Sequence, residues 1–156
     1  MNTLSHAFWG LSAIAVVMLC AIKVSGVQKL TSPEVQYYPH QRVADAFAKG
    51  ETLAQGKSGQ GIYKVMTAQR EGPGEVEVHA LDTDVFYIVK GTATFVTGGK
   101  VVDERHIAPA EFRGKSIEGG TPHHLNAEDV IIIPHGVPHW FKAVQSPFLY
   151  FVVKVR

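Results

Sequence analysis

Cysteine is almost absent. Cys20 is the only one among 156 residues, which excludes a disulfide framework within the chain and any zinc site built from several thiolates. An excess of one charge sign is also missing. Fifteen Lys and Arg face fourteen Asp and Glu, a formal net charge of +1, so nothing in the balance would drive nucleic-acid binding. No Gly-x-Ser-x-Gly, Walker-type or Rossmann fingerprint occurs, which removes the common nucleophile-elbow and phosphate-cradle chemistries. No period of about 20 to 50 residues repeats, which argues against a solenoid. Charged residues make up 19% and hydrophobic ones 46%, an ordinary globular balance rather than a disordered one. The length fits one domain.

The N-terminus carries an apolar run, Ala7 to Ile22, of sixteen residues without charge. A spanning helix needs about 20. The run is read as the core of an export signal, with Ser25 and Gly26 as the small residues near a cleavage point. No Lys or Arg precedes it and Lys23 follows it, so an uncleaved membrane anchor stays open as the alternative. A lipoprotein site at Cys20 is disfavoured, because Leu19 stands where a small residue is expected. Removal of residues 1–26 would also remove Cys20 and Lys23, leaving a cysteine-free chain of zero formal charge. Such a chain suits an oxidising periplasmic or secreted location.

Beyond that segment one helix is expected, His40 to Lys49. Val43, Ala44 and Phe47 recur at helical spacing and Gly50 is a stop. Residues 50–61 hold four glycines and read as a surface loop. Strand signals follow at 62–68, 76–81, 85–89, 92–97, 130–133, 139–144 and 148–155. The Gly98-Gly99 pair suits a tight hairpin turn. Residues 110–126 are polar and glycine-rich, and no element is assigned there. The strand at 148–155 is apolar on both faces, so it is either central to two packed layers or part of a subunit interface. Short strands at this spacing predict an all-β sandwich or small barrel.

The chemistry-bearing residues are histidines and carboxylates. Four of the eight histidines, His123, His124, His135 and His139, fall within seventeen consecutive residues. Glu77, His79 and Asp84 precede the apolar run Val85 to Val89. Strand alternation puts Glu77 and His79 on one face and Val76, Val78 and Ala80 on the other. Either set can face the core. If the valines do, Glu77 and His79 are solvated. If Glu77 and His79 do, they need a partner, and a metal ion is the natural one. Phe86, Ile88 and Phe141 are read as core, and Trp140 as packing outside. His40, His106, His123, His124 and His135 are expected in solvent.

Two segments resemble the paired motifs of the cupin superfamily. The first motif runs G-x5-H-x-H-x(3,4)-E-x6-G, and Asp84-x6-Gly91 matches its closing half. The second runs G-x5-P-x-G-x2-H-x3-N, and Pro134-x-Gly136-x2-His139 matches its centre. With the longer spacing Glu77, His79 and Asp84 take the three ligand positions. With the shorter one the two histidine positions become Val78 and Ala80, and Gly72 takes the opening glycine. Glu128 and Ala143 replace the opening glycine and closing Asn of the second motif. The resemblance spans about residues 62 to 155.

It implies an all-β double-stranded β-helix, or jelly-roll, barrel at 61–156. A 27–60 extension with a short helix precedes it, and 1–26 is the signal or anchor. It also implies a homodimer and a metal site of His79, Asp84 and His139 with Glu77 as a fourth ligand. Two imidazoles with carboxylates suit divalent Fe, Mn, Ni, Cu or Zn. Three functions remain open at this point: a metal-dependent enzyme on a small molecule, a non-catalytic small-molecule or sugar-binding module, and a structural dimer with a decayed site.

Overall fold

The computed structural model describes residues 35–56 and 62–156. The apolar run and Cys20 lie outside the described residues. Helix α1 spans His40–Lys49 and ends on Gly50 at φ 64°, where a left-handed cap suits glycine. Thirteen strands follow among the described residues: β1 Thr52–Gln55, β2 Tyr63–Arg70, β3 Val76–His79, β4 Thr83–Lys90, β5 Ala93–Thr97, β6 Lys100–Val102, β7 Arg105–Ala108, β8 Glu111–Gly114, β9 Ser116–Glu118, β10 Thr121–Leu125, β11 Val130–Ile133, β12 His139–Val144 and β13 Phe148–Val155. One sheet has the order β1-β2-β13-β4-β11, a second β10-β5-β12-β3-β8-β7, and β6 and β9 form a separate ribbon. All pairings are antiparallel. This is the expected all-β jelly roll with its short N-terminal helix.

The core lies between the two large sheets. Phe86 and Ile88 of β4 point into it, with Phe95, Phe141, Phe148, Tyr150 and Val152. Phe95 and Phe141 meet at 4.6 Å between ring centroids. The outer face of β13 is covered in part by α1, where Phe47 meets Phe151 edge-on at 5.0 Å. So β13 is the central strand of its sheet and has apolar cover on both sides. The outer face of the second sheet is also covered. Val76 and Val96 are buried there, and a Cβ at Gly114 would fall 2.2 Å from Val101 of the ribbon and 3.5 Å from Val76.

Three local expectations change. The loop expected over 50–61 contains β1, which pairs with β2. The unassigned stretch 110–126 contains β8, β9 and β10. Their polar residues alternate against partners distant in sequence, so local propensity did not reveal them. The glycine turn at 98–99 has φ of 68° and 76°, yet it joins no hairpin. Both edges of β5 are taken by β10 and β12, so β6 leaves the sheet and pairs with β9.

Candidate metal centre

The longer motif spacing matches the fold. Glu77 and His79 point into the barrel, and His79 is 4% exposed. Val76 and Val78 are buried on the opposite side. The valines need not take the inner face, because the outer face has its own cover.

His139 reaches the same place from β12. Antiparallel pairing sets it directly opposite Glu77, which puts both side chains on one face. The turn before it is pinned to β3, since Gly136 N–H donates to the His79 carbonyl at 2.7 Å. Asp84 enters from the facing sheet at the start of β4, opposite Lys154 of β13. The two histidine rings stand 5.2 Å apart. His79 Nε2 lies 3.4 Å from a Glu77 oxygen and 3.4 Å from Asp84 Oδ2. His139 Nε2 lies 3.9 Å from the same Asp84 oxygen. The structure therefore brings together all four sequence-derived candidates.

Both ring nitrogens that face inward lack a hydrogen-bond partner. His79 Nε2 and His139 Nε2 are buried, and none of their neighbours bonds them with proper geometry. Their outward nitrogens are held. His79 Nδ1–H donates to Glu111 Oε2 at 2.6 Å, and His139 Nδ1–H to the Val137 carbonyl at 3.1 Å. A carboxylate and a carbonyl only accept, so each imidazole keeps its lone pair on Nε2, aimed inward. Ligand atoms of Glu77, His79 and His139 all lie within 4.8 Å of one another. Bonds of about 2.0–2.2 Å to one ion need ligand atoms no more than about 4.4 Å apart. A contraction of about half an ångström would close the set.

Cations surround these carboxylates. Lys154 Nζ donates to both Asp84 oxygens, at 2.8 and 3.0 Å. Arg70 reaches Glu77 at 3.2 Å and Arg113 reaches it at 3.4 Å. Burial works to raise the Glu77 carboxyl, but its contact with His79 and the charges of Arg113, His139 and Arg70 outweigh it and hold it at about 2. Burial works to lower His79, yet its Glu77 contact and the charges of Asp84 and Glu111 lift it above the usual histidine range, against Lys154. For His139 burial dominates and pushes it down. The two imidazoles are thus pushed in opposite directions, His79 up by its carboxylate neighbours and His139 down by burial.

Sequence reasoning missed Arg70, Glu111, Arg113, Tyr150 and Lys154. Arg70 shares its strand phase with Met66 and Ala68, and Lys154 shares one with Tyr150 and Val152, so period-two parity carried both. Glu111 and Arg113 lay in the unassigned stretch. Outside the site, His40, His106, His124 and His135 are exposed. His123 is half-buried instead, with Nε2 2.8 Å from Thr97 Oγ1.

The match to known families now decides the group. A family model described as cupin matches residues 36–156. The chain is a cupin. No curated protein sequence matches it. Solved structures it resembles include the Sphingomonas sp. hydroquinone 1,2-dioxygenase with 4-hydroxybenzoate bound, at 18% identity and a TM-score of 0.46 over 60% of this chain and 59% of that one. A Streptomyces PAC13 variant with uridine gives 11%, 0.45, 79% and 82%, and cobalt(II) HppE in complex with Tris buffer gives 12%, 0.45, 69% and 52%. The cupin spans about three fifths of the dioxygenase's length. These likenesses are to the fold. The two cupin motifs meet in this chain where Gly136 N–H donates to the His79 carbonyl; Gly91 follows β4 at its other end, at φ 88°.

Proposed function

We propose that the chain is an exported, metal-dependent cupin enzyme acting on a small molecule, with Glu77, His79 and His139 as ligands and Asp84 as a fourth group at the ion. The observation that carries it is the pair of buried, unpartnered Nε2 atoms facing two carboxylates. A buried polar atom without a partner is destabilising by roughly 1–3 kcal/mol, and two together call for a common occupant. Held there by Glu77, His79 and His139, such an ion would supply Lewis-acid polarisation of a substrate oxygen. The protein's own groups do the rest. Glu111 and Val137 fix the ring tautomers, Arg70 and Arg113 hold Glu77 ionised, and the apolar wall of the barrel excludes water.

A specific observation favours a second reading, a non-catalytic binding module. Lys154 already neutralises Asp84, and Arg70 and Arg113 already neutralise Glu77. A site balanced in this way can hold a ligand without an ion.

Protein taken from its native host without a polyhistidine tag separates the readings. Elemental analysis should find close to one equivalent of a divalent transition metal per chain. The intact mass of the same sample should lack about 26 residues, in keeping with an h-region followed by a small-residue cleavage site. A metal-free sample supports the binding module, and a full-length, unmodified, non-membrane chain removes export from the reading.

A further inference from the structure

We propose that the barrel cavity selects a small organic anion with an apolar body, of about the size and charge of benzoate. This deepens the metal-site reading and rests on it. The pocket has a volume of about 200 Å³, somewhat more than the roughly 150 Å³ of an apolar cavity that takes up benzene. That space suits a single ring or a short chain. Its wall is apolar, formed by Met66, Ala68, Phe86, Phe141 and Val152. Arg70, Glu77, Asp84, His139, Tyr150 and Lys154 complete its lining. A ligand therefore needs an apolar body and a polar group set to meet this cluster.

Charge decides the sign. Arg70 and Arg113 offset Glu77 and Glu111, and Lys154 offsets Asp84. The cluster is neutral before any ion enters. A divalent ion adds two positive charges that no described side chain compensates. Charge at the inner end of a pocket walled in part by apolar side chains is best paired, so the ligand is expected to bring the negative charge. One protein donor is also free. The Tyr150 hydroxyl accepts from Arg70 Nε at 2.9 Å, and its own hydrogen meets no acceptor among the described residues. Tyr150 and Lys154 both line the pocket from β13, and each carries a donor suited to an anionic oxygen.

The test is calorimetric titration of the full chain, loaded with zinc alone, against benzoate, benzamide and benzamidine. These three share a shape and differ in charge. Benzoate should bind at least tenfold more tightly than benzamide, with benzamidine weaker still. Equal affinities, a preference for benzamidine, or no benzoate heat from the folded protein overturns the inference. Zinc uptake is measured first by its own titration. Its failure strikes the metal reading, whereas the ranking of the three ligands in the zinc-containing buffer decides this inference either way. Lys154→Gln, checked for folding by circular dichroism, should weaken benzoate severalfold and benzamide less, so that the preference for benzoate narrows. An unchanged benzoate affinity counts against the proposal. If the variant does not fold, the wild-type ranking stands as the test.

Discussion

Histidine residues of one type have different fates in this chain because of what lies behind each ring. His139 has a carbonyl at its back and a carboxylate in front. His79 has the Glu111 carboxylate behind it. His135 sits exposed in the turn between β11 and β12. Removing a group that orients a metal-bound imidazole typically lowers metal affinity about 10–100-fold. Glu111→Ala should therefore weaken zinc binding within that range, and His139→Ala should weaken it further. His135→Ala should leave it unchanged. A competition titration with a colorimetric chelator reads all three. Loss in the His135 variant, or none in the His139 variant, would show that the wrong histidine had been assigned. Two of the three first-motif ligand positions carry a residue other than the motif's own. The sequence could still nominate them, because Glu and Asp are themselves ligand-capable. It could not reveal Lys154 on Asp84, which comes from a strand 70 residues away.

At the scale of elements, α1, β11, β12 and β13 have the residue bounds read from the sequence. Each carries a strong local pattern that agrees with its tertiary place. The ribbon and β7–β10 do not, since their partners rather than their own composition fix them. The register of β3 was ambiguous for a similar reason. Alternation defines two faces but not which is inside, and here the covering ribbon decides it. The motif glycines make the same point. Gly91 has φ 88°, and a Cβ there would meet the Pro147 carbonyl oxygen at 2.8 Å and the Gln145 one at 3.1 Å. Glu128 stands where the second motif has glycine, and it keeps φ 74°. The left-handed conformation is present here without the residue that suits it. A left-handed conformation costs a side-chain-bearing residue about 1–2 kcal/mol, and glycine gives back about 0.5–1 kcal/mol in chain entropy. Glu128→Gly should thus raise stability by up to about 1 kcal/mol. Gly91→Ala, which adds backbone overlap to the strain, should lower it by more than about 2 kcal/mol. Urea unfolding of the two variants checks the signs, and a stabilised Gly91→Ala would contradict the account.

At the scale of the whole molecule, the two-sided apolar strand has only half its explanation among the described residues. Phe47 of α1 covers Phe151, but no other described element covers the same sheet face over β4 and its neighbour β11, the last strand of that sheet. Tyr87, Val89, Val130 and Ile132 are 43%, 38%, 59% and 62% exposed there. Val130 pairs directly with Tyr87, and Ile132 with Val85, so the side chains form one patch rather than scattered contacts. A contiguous apolar patch beside an open strand edge is what a subunit contact uses. A two-fold axis would use each side chain twice. We therefore propose a homodimer through the β4–β11 face. Light scattering at micromolar concentration should give twice the chain mass, and Val130→Lys with Ile132→Lys should return it to the monomer without unfolding. Both side chains point outward, so charge there leaves the core intact. A wild-type monomer at tens of micromolar, or a double variant that still pairs, would place the interface elsewhere or abolish it.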